Sequence, residues 1–157
     1  MGNLCNTKTY NTYDIQHAKN MCHIGRSYHL RQDYEQARIY YLMAVDVDEE
    51  NGEAVAGLGD VYWKLNDYVN AEKYYLMAIK QDDVDAMCGI GLMYHRQGDY
   101  KKAKKYYSMA VKKGSSLAMC NLGYMYGAEE DYKKARKYYL MAIRSDNETA
   151  MYNLGKL

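Results

Sequence analysis

DYKKAKKYYSMAV at residues 99–111 and DYKKARKYYLMAI at residues 131–143 are nearly the same stretch of sequence, present twice. The Asp-Tyr pair that opens both also occurs at residues 33–34 and 67–68, so it recurs at a nearly constant interval along the chain. Self-similarity at a fixed period of about 20–50 residues is the signature of repeat architectures. The period therefore predicts a chain of stacked structural units.

A second sequence phrase recurs along the chain at nearly the same interval. Its closest copies are AMCGIGLMY at 86–94, AMCNLGYMY at 118–126 and AMYNLG at 150–155, with looser copies NMCHIGRSY at 20–28 and AVAGLGDVY at 54–62. The chain thus holds four two-part units and the first part of a fifth. We call the two parts of each unit its first and second helix, for the reasons that follow.

Both phrases have the spacing of amphipathic helices. In AMCNLGYMY, Met119, Leu122 and Tyr126 fall at i, i+3 and i+7, which is one face of an α-helix. DYKKARKYYLMAI places its apolar residues on one face in the same way, at Tyr132, Ala135, Tyr139, Ala142 and Ile143. The Asp before each Tyr is a natural N-cap, worth about 1 kcal/mol against Ala, so the second helix is predicted to begin there.

A glycine recurs inside every first helix, where it costs about 1 kcal/mol relative to alanine. These glycines are Gly25, Gly59, Gly91, Gly123 and Gly155. A small alanine in the second helix faces each of the first four, namely Ala37, Ala71, Ala103 and Ala135. We therefore expect close helix approach, with Tyr41, Tyr75, Tyr107 and Tyr139 filling the space beside it. Such short pairs bury their apolar faces only by stacking.

The order Leu/Ile-Gly-x-x-Tyr, Ala-x-x-x-Tyr and Ala resembles the tetratricopeptide repeat over about residues 18–157. The chain lacks the proline of that family, and three junctions between units are two residues short. The short junctions MAIKQDDVDAM and MAVKKGSSLAM resemble those of the related Sel1-like repeats. The tyrosine-rich motif YYLMAI is similar to Sel1-like repeats of giant DNA viruses.

The resemblance implies an all-α fold, an α/α solenoid with a right-handed superhelix of about four and a half helix-turn-helix repeats. A lead-in segment at residues 1–17 would precede a repeat domain at 18–157. Its units are predicted at residues 18–51, 52–83, 84–115 and 116–147, with a partial unit at 148–157.

The resemblance also implies a non-catalytic scaffold or adaptor that binds a protein or peptide partner in a concave groove lined by the first helices. The residues expected to contact the partner are Arg26, His29, Asp60, Trp63, Lys64, Leu92, His95, Arg96, Asn121 and Tyr124. Cys22, His23, Ala56, Cys88 and Cys120 would line the same face. Trp63 is the first candidate for a residue that anchors the partner, because an exposed tryptophan flanked by Lys64 and Arg96 resembles a binding hot spot. The alternative is that Trp63 only covers neighbouring side chains.

Several site types are not expected. The places that match the family's carboxylate clamp hold Cys22, Arg26, Gly57, Asp85 and Gly89, which cannot grip a C-terminal carboxylate. Equivalent cysteines should be separated by the helix stacking of about 8–10 Å, beyond disulfide reach, and His29 and His95 by two repeats, beyond a shared zinc. No phosphate loop and no nucleophile paired with a base is present, so we expect no cofactor, metal or catalysis.

Charge suggests two further functions. Residues 18–83 hold 7 Lys/Arg against 12 Asp/Glu, a balance of −5, and residues 84–157 hold 13 against 7, a balance of +6. A nucleic-acid-associated protein is one alternative, because basic side chains cluster at Lys101, Lys102, Lys104, Lys105, Lys133, Lys134, Arg136 and Lys137. A structural solenoid that associates end to end is the other.

Tyrosine and methionine form a second apolar stripe on the second helices. Its pairs are Tyr40 with Met43, Tyr74 with Met77, Tyr106 with Met109 and Tyr138 with Met141. The stripe either packs against the next repeat or offers a flexible methionine-rich contact surface.

Location is inferred from cysteine usage and the first residues. Cysteines without CxxC spacing and without a secretory segment fit a reducing cytoplasm, which would be the host cytoplasm for a viral chain. MGNLCN resembles an N-myristoylation signal on Gly2 with a palmitoylation site at Cys5, although Asn6 replaces the usual Ser or Thr. Membrane contact is expected only through such lipidation.

Overall fold

The computed structural model describes residues 12–157, and over this range it contains nine α-helices and no strand. They are α1 (Thr12–Leu30), α2 (Tyr34–Val47), α3 (Gly52–Lys64), α4 (Tyr68–Lys80), α5 (Val84–Arg96), α6 (Tyr100–Lys112), α7 (Ser116–Ala128), α8 (Tyr132–Ile143) and α9 (Glu148–Leu154). The odd-numbered helices are the first helices and the even-numbered ones the second. The predicted all-α class is confirmed. Gly2 and Cys5, the predicted lipidation sites, lie outside the described residues.

The chain divides between Tyr74 and Tyr75, within α4, into two compact units. In the first unit α1 packs against α2, and α2 against α3. In the second unit α5 packs against α6, α6 against α7, α7 against α8, and α8 against α9. Within each unit these contacts are mainly between helices that follow one another in sequence, which is the packing of a repeat protein.

Helix α1 begins six residues before the predicted first repeat, at Thr12 rather than residue 18. Nothing in this stretch breaks a helix, and two contacts at helical spacing support it. The rings of Tyr13 and His17 stack with centroids 6.2 Å apart, and the Gln16 amide donates to Asn20 at 3.0 Å. None of the helices within residues 12–157 is both long and apolar enough to cross a lipid bilayer.

The predicted aspartate caps are present at all four second helices. The carboxylates of Asp33, Asp67, Asp99 and Asp131 each accept from the backbone N–H three residues on, at 3.2, 3.1, 3.0 and 3.1 Å. The first helices of the later repeats are capped in the same way by Asn51, Asp83, Ser115 and Asn147. Because every such cap satisfies an amide that the helix leaves unpaired, the helix starts are fixed locally.

One type of tight turn joins most of the helices. The residue before the cap has a left-handed backbone, with φ between 57° and 91° at Gln32, Asn66, Asp82, Gly98, Gly114, Glu130 and Asp146. The amide of the cap residue then donates to a carbonyl five residues back, as from Asp99 to Tyr94 at 3.0 Å. This is the Schellman termination of a helix. It serves both the turns within repeats and the three short junctions between repeats.

The junction after α2 is built differently. Asp48 ends the helix with an extended backbone at φ −136°, and the amide of Asn51 donates to its carbonyl at 3.1 Å. Helix α2 has 14 residues where α6 has 13, and the connection spans 48–51, one position more than the later connection 113–115. These additions account for the wider spacing from Asp33 to Asp67 compared with that from Asp67 to Asp99.

Tyrosine rings lie directly on the helix glycines, as predicted. A methyl carbon placed on Gly25, Gly91 or Gly123 would be 2.9, 2.8 and 2.7 Å from the ring of the tyrosine in the second helix of the same repeat, respectively Tyr41, Tyr107 and Tyr139. Real side-chain carbons do not approach so closely, so only glycine fits. The facing alanines Ala37, Ala103 and Ala135 are fully buried.

The tyrosines of the second apolar stripe stack inside their own repeats. The pairs Tyr28–Tyr40, Tyr62–Tyr74, Tyr94–Tyr106 and Tyr126–Tyr138 are nearly parallel, with centroids 5.4 to 5.8 Å apart. For each of these tyrosines, a first-helix tyrosine of the same repeat therefore provides a stacking face. Met43 is exposed, whereas Met141 packs against the buried cluster around Tyr139 and Ala150.

Candidate binding site

In the first unit, the predicted site residues lie near the ends of two first helices, α1 and α3. The Arg26 guanidinium is 3.3 Å from the Glu53 carboxylate, and both side chains are exposed. Half-buried His29 meets the rings of Tyr34 and Tyr41 edge-on, with centroids 5.7 and 6.4 Å away. These contacts hold both side chains in place through neighbours in the same unit.

Trp63 is half-buried rather than exposed as predicted. The Lys64 ammonium lies 5.0 Å from the centre of its ring, within cation–π distance. Asp60 is also half-buried, one turn before Trp63 on the same helix. The expected pairing of Trp63 with a flanking cation is thus seen for Lys64. Arg96 is exposed at the end of α5 in the second unit.

In the second unit, four predicted site residues line one cavity of about 280 Å³. They are Leu92, His95, Asn121 and Tyr124. Tyr107, Leu117, Cys120, Met125, Asn147, Thr149 and Asn153 complete its wall. The cavity is therefore shared by α5, α6, α7 and α9, with the N-cap Asn147 at its edge.

A second cavity of about 280 Å³ shares His95, Tyr124 and Met125 with the first. Its other lining residues are Tyr100, Ala128 and Glu129. His95 meets Tyr124 edge-on with centroids 6.0 Å apart and Tyr100 at 5.5 Å. Since Tyr124 borders both cavities and is exposed, it stands at the centre of the site.

The polar groups at the base of this site are neutral. The Tyr107 phenol is hydrogen-bonded to the Asn121 side chain, and burial raises its pKa above the ordinary value, so it stays protonated. The Asn153 amide lies 3.7 Å from the Cys120 sulfur. Apart from His95, the first cavity is lined by amides, hydroxyl groups, a thiol and apolar side chains, which recognise a ligand by shape and hydrogen bonding.

The sequence pattern missed part of this site. Leu117 and Met125 lie on α7 outside the face assigned to the groove, and Asn147 and Thr149 belong to the start of α9. Asn153 carried a usable signal, because it stands one repeat after Asn121, at the equivalent position of the next first helix. Tyr100 and Glu129 come from the turns that join the helices.

The cysteines are buried free thiols at Cys22, Cys88 and Cys120. Burial raises the pKa of the Cys22 thiol to about 12, with the nearby Glu53 carboxylate adding to the shift. Burial also raises the pKa of Cys88 and Cys120. Thiols held protonated are poor nucleophiles. Residues 12–157 contain no group of three side chains placed to hold a metal ion.

Lysines of the basic cluster lie against tyrosine rings and carboxylates. The Lys102 ammonium is 4.4 Å from the centre of the Tyr94 ring and 3.7 Å from Asp99. Lys104 pairs with Glu129, and Lys134 lies 2.6 Å from Asp131. These acidic partners reduce the positive charge that this surface offers to phosphate groups.

Comparisons with known families and structures agree with this architecture. Two tetratricopeptide repeat profiles match residues 24–86 and 84–112, and the Sel1 repeat profile matches residues 116–147. The Sel1 match falls on a single repeat that has the shorter 32-residue spacing, as the short junctions predicted. No curated protein matches the sequence.

Solved structures share the fold at low sequence identity. Pseudomonas aeruginosa PilF has a TM-score of 0.80 at 18% identity, over 92% of this chain and 69% of that one. MamA has a TM-score of 0.73 at 23% identity, over 86% of this chain and 81% of that one. The protective antigen c5321 of uropathogenic Escherichia coli, which displays an SLR fold, has 0.73 at 23%, over 88% of this chain and 33% of that one.

These matches confirm the helical-hairpin solenoid class and the resemblance to tetratricopeptide and Sel1-like repeats. With tetratricopeptide profiles over residues 24–112 and a Sel1 profile over 116–147, the chain belongs to the tetratricopeptide and Sel1-like repeat family.

Proposed function

We propose that this chain is a non-catalytic adaptor that holds a peptide segment of a protein partner on the first helices of its second unit, with Tyr124 at the centre. Repeats of this family generally mediate protein–protein interaction, and their extended surfaces serve as binding faces. The observation that carries the proposal is the pair of cavities of about 280 Å³ each that both border His95 and Tyr124.

The chemistry of the cavities favours a peptide over a charged small molecule. Leu92, Leu117 and Met125 offer apolar contact, while Asn121 and Asn153 offer amides that can both donate and accept. A peptide needs both, because its side chains fill apolar pockets and its backbone carries a donor and an acceptor in every residue. Two apolar side chains of the ligand would occupy the two cavities, with Tyr124 between them.

Tyrosine is suited to the central position. It is one of the residue types that dominate binding energy at protein interfaces, since it buries a large, rigid surface and keeps a hydroxyl for hydrogen bonding. In the first unit, Trp63 with Lys64 is proposed as a further anchor, and Arg26, His29 and Asp60 as further contacts. Arg96 is proposed as a contact of the second unit. Replacing Trp63 and Arg96 together with alanine should weaken partner capture without loss of helicity.

The buried free thiols support a cytoplasmic location, because a reducing compartment keeps such groups from forming disulfides. For a chain of viral origin this would be the host cytoplasm.

Affinity capture from the native cell tests the proposed site. The intact chain, a Tyr124→Ala variant and a Tyr132→Ala variant serve as baits, and captured proteins are quantified by mass spectrometry. Tyr124 and Tyr132 are matched, with 56% and 53% of their surface exposed, but only Tyr124 borders the cavities. We expect Tyr124→Ala to lower recovery of the partner by about tenfold or more, as for a hot-spot residue, and Tyr132→Ala to leave it unchanged.

Two results would contradict the proposal. Equal recovery by the Tyr124→Ala and Tyr132→Ala baits would mean that the cavities do not hold the partner. Recovery that disappears after nuclease treatment of the lysate would mean that the chain associates through nucleic acid, as the basic cluster alone suggested.

A further inference from the structure

The second cavity of the proposed site has walls of a different kind from the first. Three aromatic rings border it, those of His95, Tyr100 and Tyr124. The His95 ring meets the Tyr124 ring at an interplanar angle of 71° and the Tyr100 ring at 57°. Tyr100 and Tyr124 are 54% and 56% exposed, so much of each tyrosine ring is open to a ligand.

A carboxylate borders this cavity as well. Of the described residues that line the two cavities, Glu129 is the one with an acidic side chain, and none is a lysine or an arginine. Lys104 pairs with Oε2 of Glu129, but Lys104 itself is not among the residues that line the cavity. A carboxylate has about four acceptor positions, so this one pair leaves Glu129 able to bind a second cation.

The repeat pattern shows that the cavity lacks a cation that other repeats carry. Ala128 lines it, and the equivalent positions of two earlier first helices hold Lys64 and Arg96. In the first unit, the ammonium of Lys64 lies 5.0 Å from the centre of the Trp63 ring. With alanine at position 128, the end of α7 brings aromatic rings and a carboxylate together without a cation of its own at this position.

Aromatic rings attract cations, because the face of each ring carries partial negative charge. The second unit shows this pairing on its own surface, where the ammonium of Lys102 lies 4.4 Å from the centre of the Tyr94 ring. The steep angles between the His95 ring and both tyrosine rings do not form the parallel walls on which a flat guanidinium would stack. A compact ammonium on a flexible aliphatic stem suits such walls better.

We infer that the second cavity binds a lysine side chain of the peptide segment that the adaptor holds. The inference rests on the proposed function and refines it, because the aliphatic stem of the lysine supplies the apolar contact in this cavity, on Met125 and Ala128. The ammonium then lies among the rings with Glu129 beside it. The first cavity, whose described lining residues include no acid, keeps an apolar side chain. The partner's segment therefore carries a lysine near an apolar residue.

Two small probes that differ in charge test the inference. Nα-acetyl-lysine N-methylamide and its norleucine counterpart share the same aliphatic stem, but only the first carries an ammonium. Each is titrated into the isotope-labelled intact chain, and amide chemical shifts are followed by NMR. We expect the lysine probe to bind about fivefold more tightly, on the scale of a cation–π contact. Since residues 84–157 carry a balance of +6, long-range attraction cannot produce this preference.

Substitutions locate the contact. Glu129→Gln keeps the shape of the wall and removes its charge, so it should reduce the preference for lysine while norleucine binding stays the same. Tyr100→Ala should weaken lysine binding about fivefold, and Tyr100→Phe should leave it intact because the ring face remains. Tyr132→Ala is the control and should change neither affinity. Tyr132 begins α8 as Tyr100 begins α6 and is 53% exposed, but it does not border the cavity.

Three results would overturn the inference. One is a lysine probe that binds no more tightly than the norleucine probe, or not at all, which would make the cavity a plain apolar pocket. Another is lysine binding that neither Tyr100→Ala nor Glu129→Gln weakens, which would place the probe elsewhere on the chain. The third is tighter binding by the arginine counterpart. The capture experiment with Tyr124→Ala can succeed in each of these cases and can fail while the lysine probe binds, so the two proposals are tested separately.

Discussion

Replacing Tyr107 with alanine tests the packing on which the second unit depends. The side chain is 1% exposed, and its ring lies on Gly91 of the first helix in the same repeat. Its hydroxyl is hydrogen-bonded to Asn121 of the next first helix. One side chain thus contacts two successive first helices, and its removal leaves a cavity between them.

The ring and the hydroxyl contribute unequally. Truncating a buried aromatic side chain to alanine costs about 3–5 kcal/mol, because the lost contacts are only partly recovered by relaxation. Tyr107→Phe removes only the hydroxyl. Asn121 lines an open cavity where water can replace the lost partner, so we expect a cost of about 1 kcal/mol. Most of the loss in Tyr107→Ala should therefore come from the ring.

Urea unfolding followed by far-UV circular dichroism measures these losses. With a slope of about 2 kcal/mol per molar urea, a loss of about 4 kcal/mol lowers the midpoint by about 2 M. The emission of Trp63, the single tryptophan, follows the first unit. Repeat arrays need not unfold in one step, so the two signals should separate in Tyr107→Ala, with the dichroism midpoint shifted more.

Tyr132→Ala is the control, since this ring is exposed and lies on no glycine. A Tyr107→Ala midpoint no lower than that of Tyr132→Ala would refute the packing argument. A Tyr107→Phe midpoint as low as that of Tyr107→Ala would show instead that the hydroxyl, and not the ring, holds the helices together.

Three further predictions concern turns, caps and thiols. Glu130 has a left-handed backbone with φ 59°, so Glu130→Gly should stabilise the chain by about 1 kcal/mol. Gly98 has φ 79° at the equivalent turn, so Gly98→Ala should destabilise the chain by at least as much. The midpoints of urea unfolding measure both changes. Hydrogen bonds from Lys134 hold the pKa of Asp131 below its ordinary value. This interaction therefore stabilises the folded chain at pH values above the unfolded pKa of about 3.9, and the stabilisation is lost as the pH falls through the folded pKa. Asp131→Asn should accordingly reduce the drop in melting temperature that occurs between neutral and acidic pH. Because burial raises the pKa of Cys22 to about 12, its labelling by a thiol reagent at neutral pH should be slow in the folded chain and fast in urea; equal rates would contradict the buried position.

The features that the sequence predicted well are those set by local spacing. An Asp before a Tyr caps a helix because its carboxylate reaches the amide three residues on, and this requires no knowledge of the rest of the fold. The glycine and tyrosine of one repeat, such as Gly123 and Tyr139, were also paired correctly, since both recur at the same interval as the helices that carry them. Periodicity alone therefore gives the helix caps and the glycine–tyrosine contact of each repeat.

Ring stacking within a repeat and contacts between different repeats were harder to predict. The stacking of Tyr126 on Tyr138 was missed, because two tyrosines on adjacent helices suggest neither partner nor orientation by their spacing. The cavity beside Tyr124 depends on Asn147 and Thr149 at the start of α9, and a pattern drawn from the faces of complete helices does not include such end residues. Binding sites of this kind require the positions of neighbouring helix ends.

One position in the first helices shows how nearly identical repeats come to differ in binding chemistry. It holds Gly57, Gly89 and Asn121 in three successive repeats. A methyl carbon on Gly57 would be 2.6 Å from Tyr41, and one on Gly89 would be 2.8 Å from Tyr75, so in these repeats the far end of the ring occupies the place of a side chain. At Asn121 an amide occupies that place and bonds to a tyrosine hydroxyl. Where the position is glycine, a tyrosine ring covers it, whereas asparagine presents a polar group beside a cavity. The amide of Asn121 is therefore available there to the ligand that we propose.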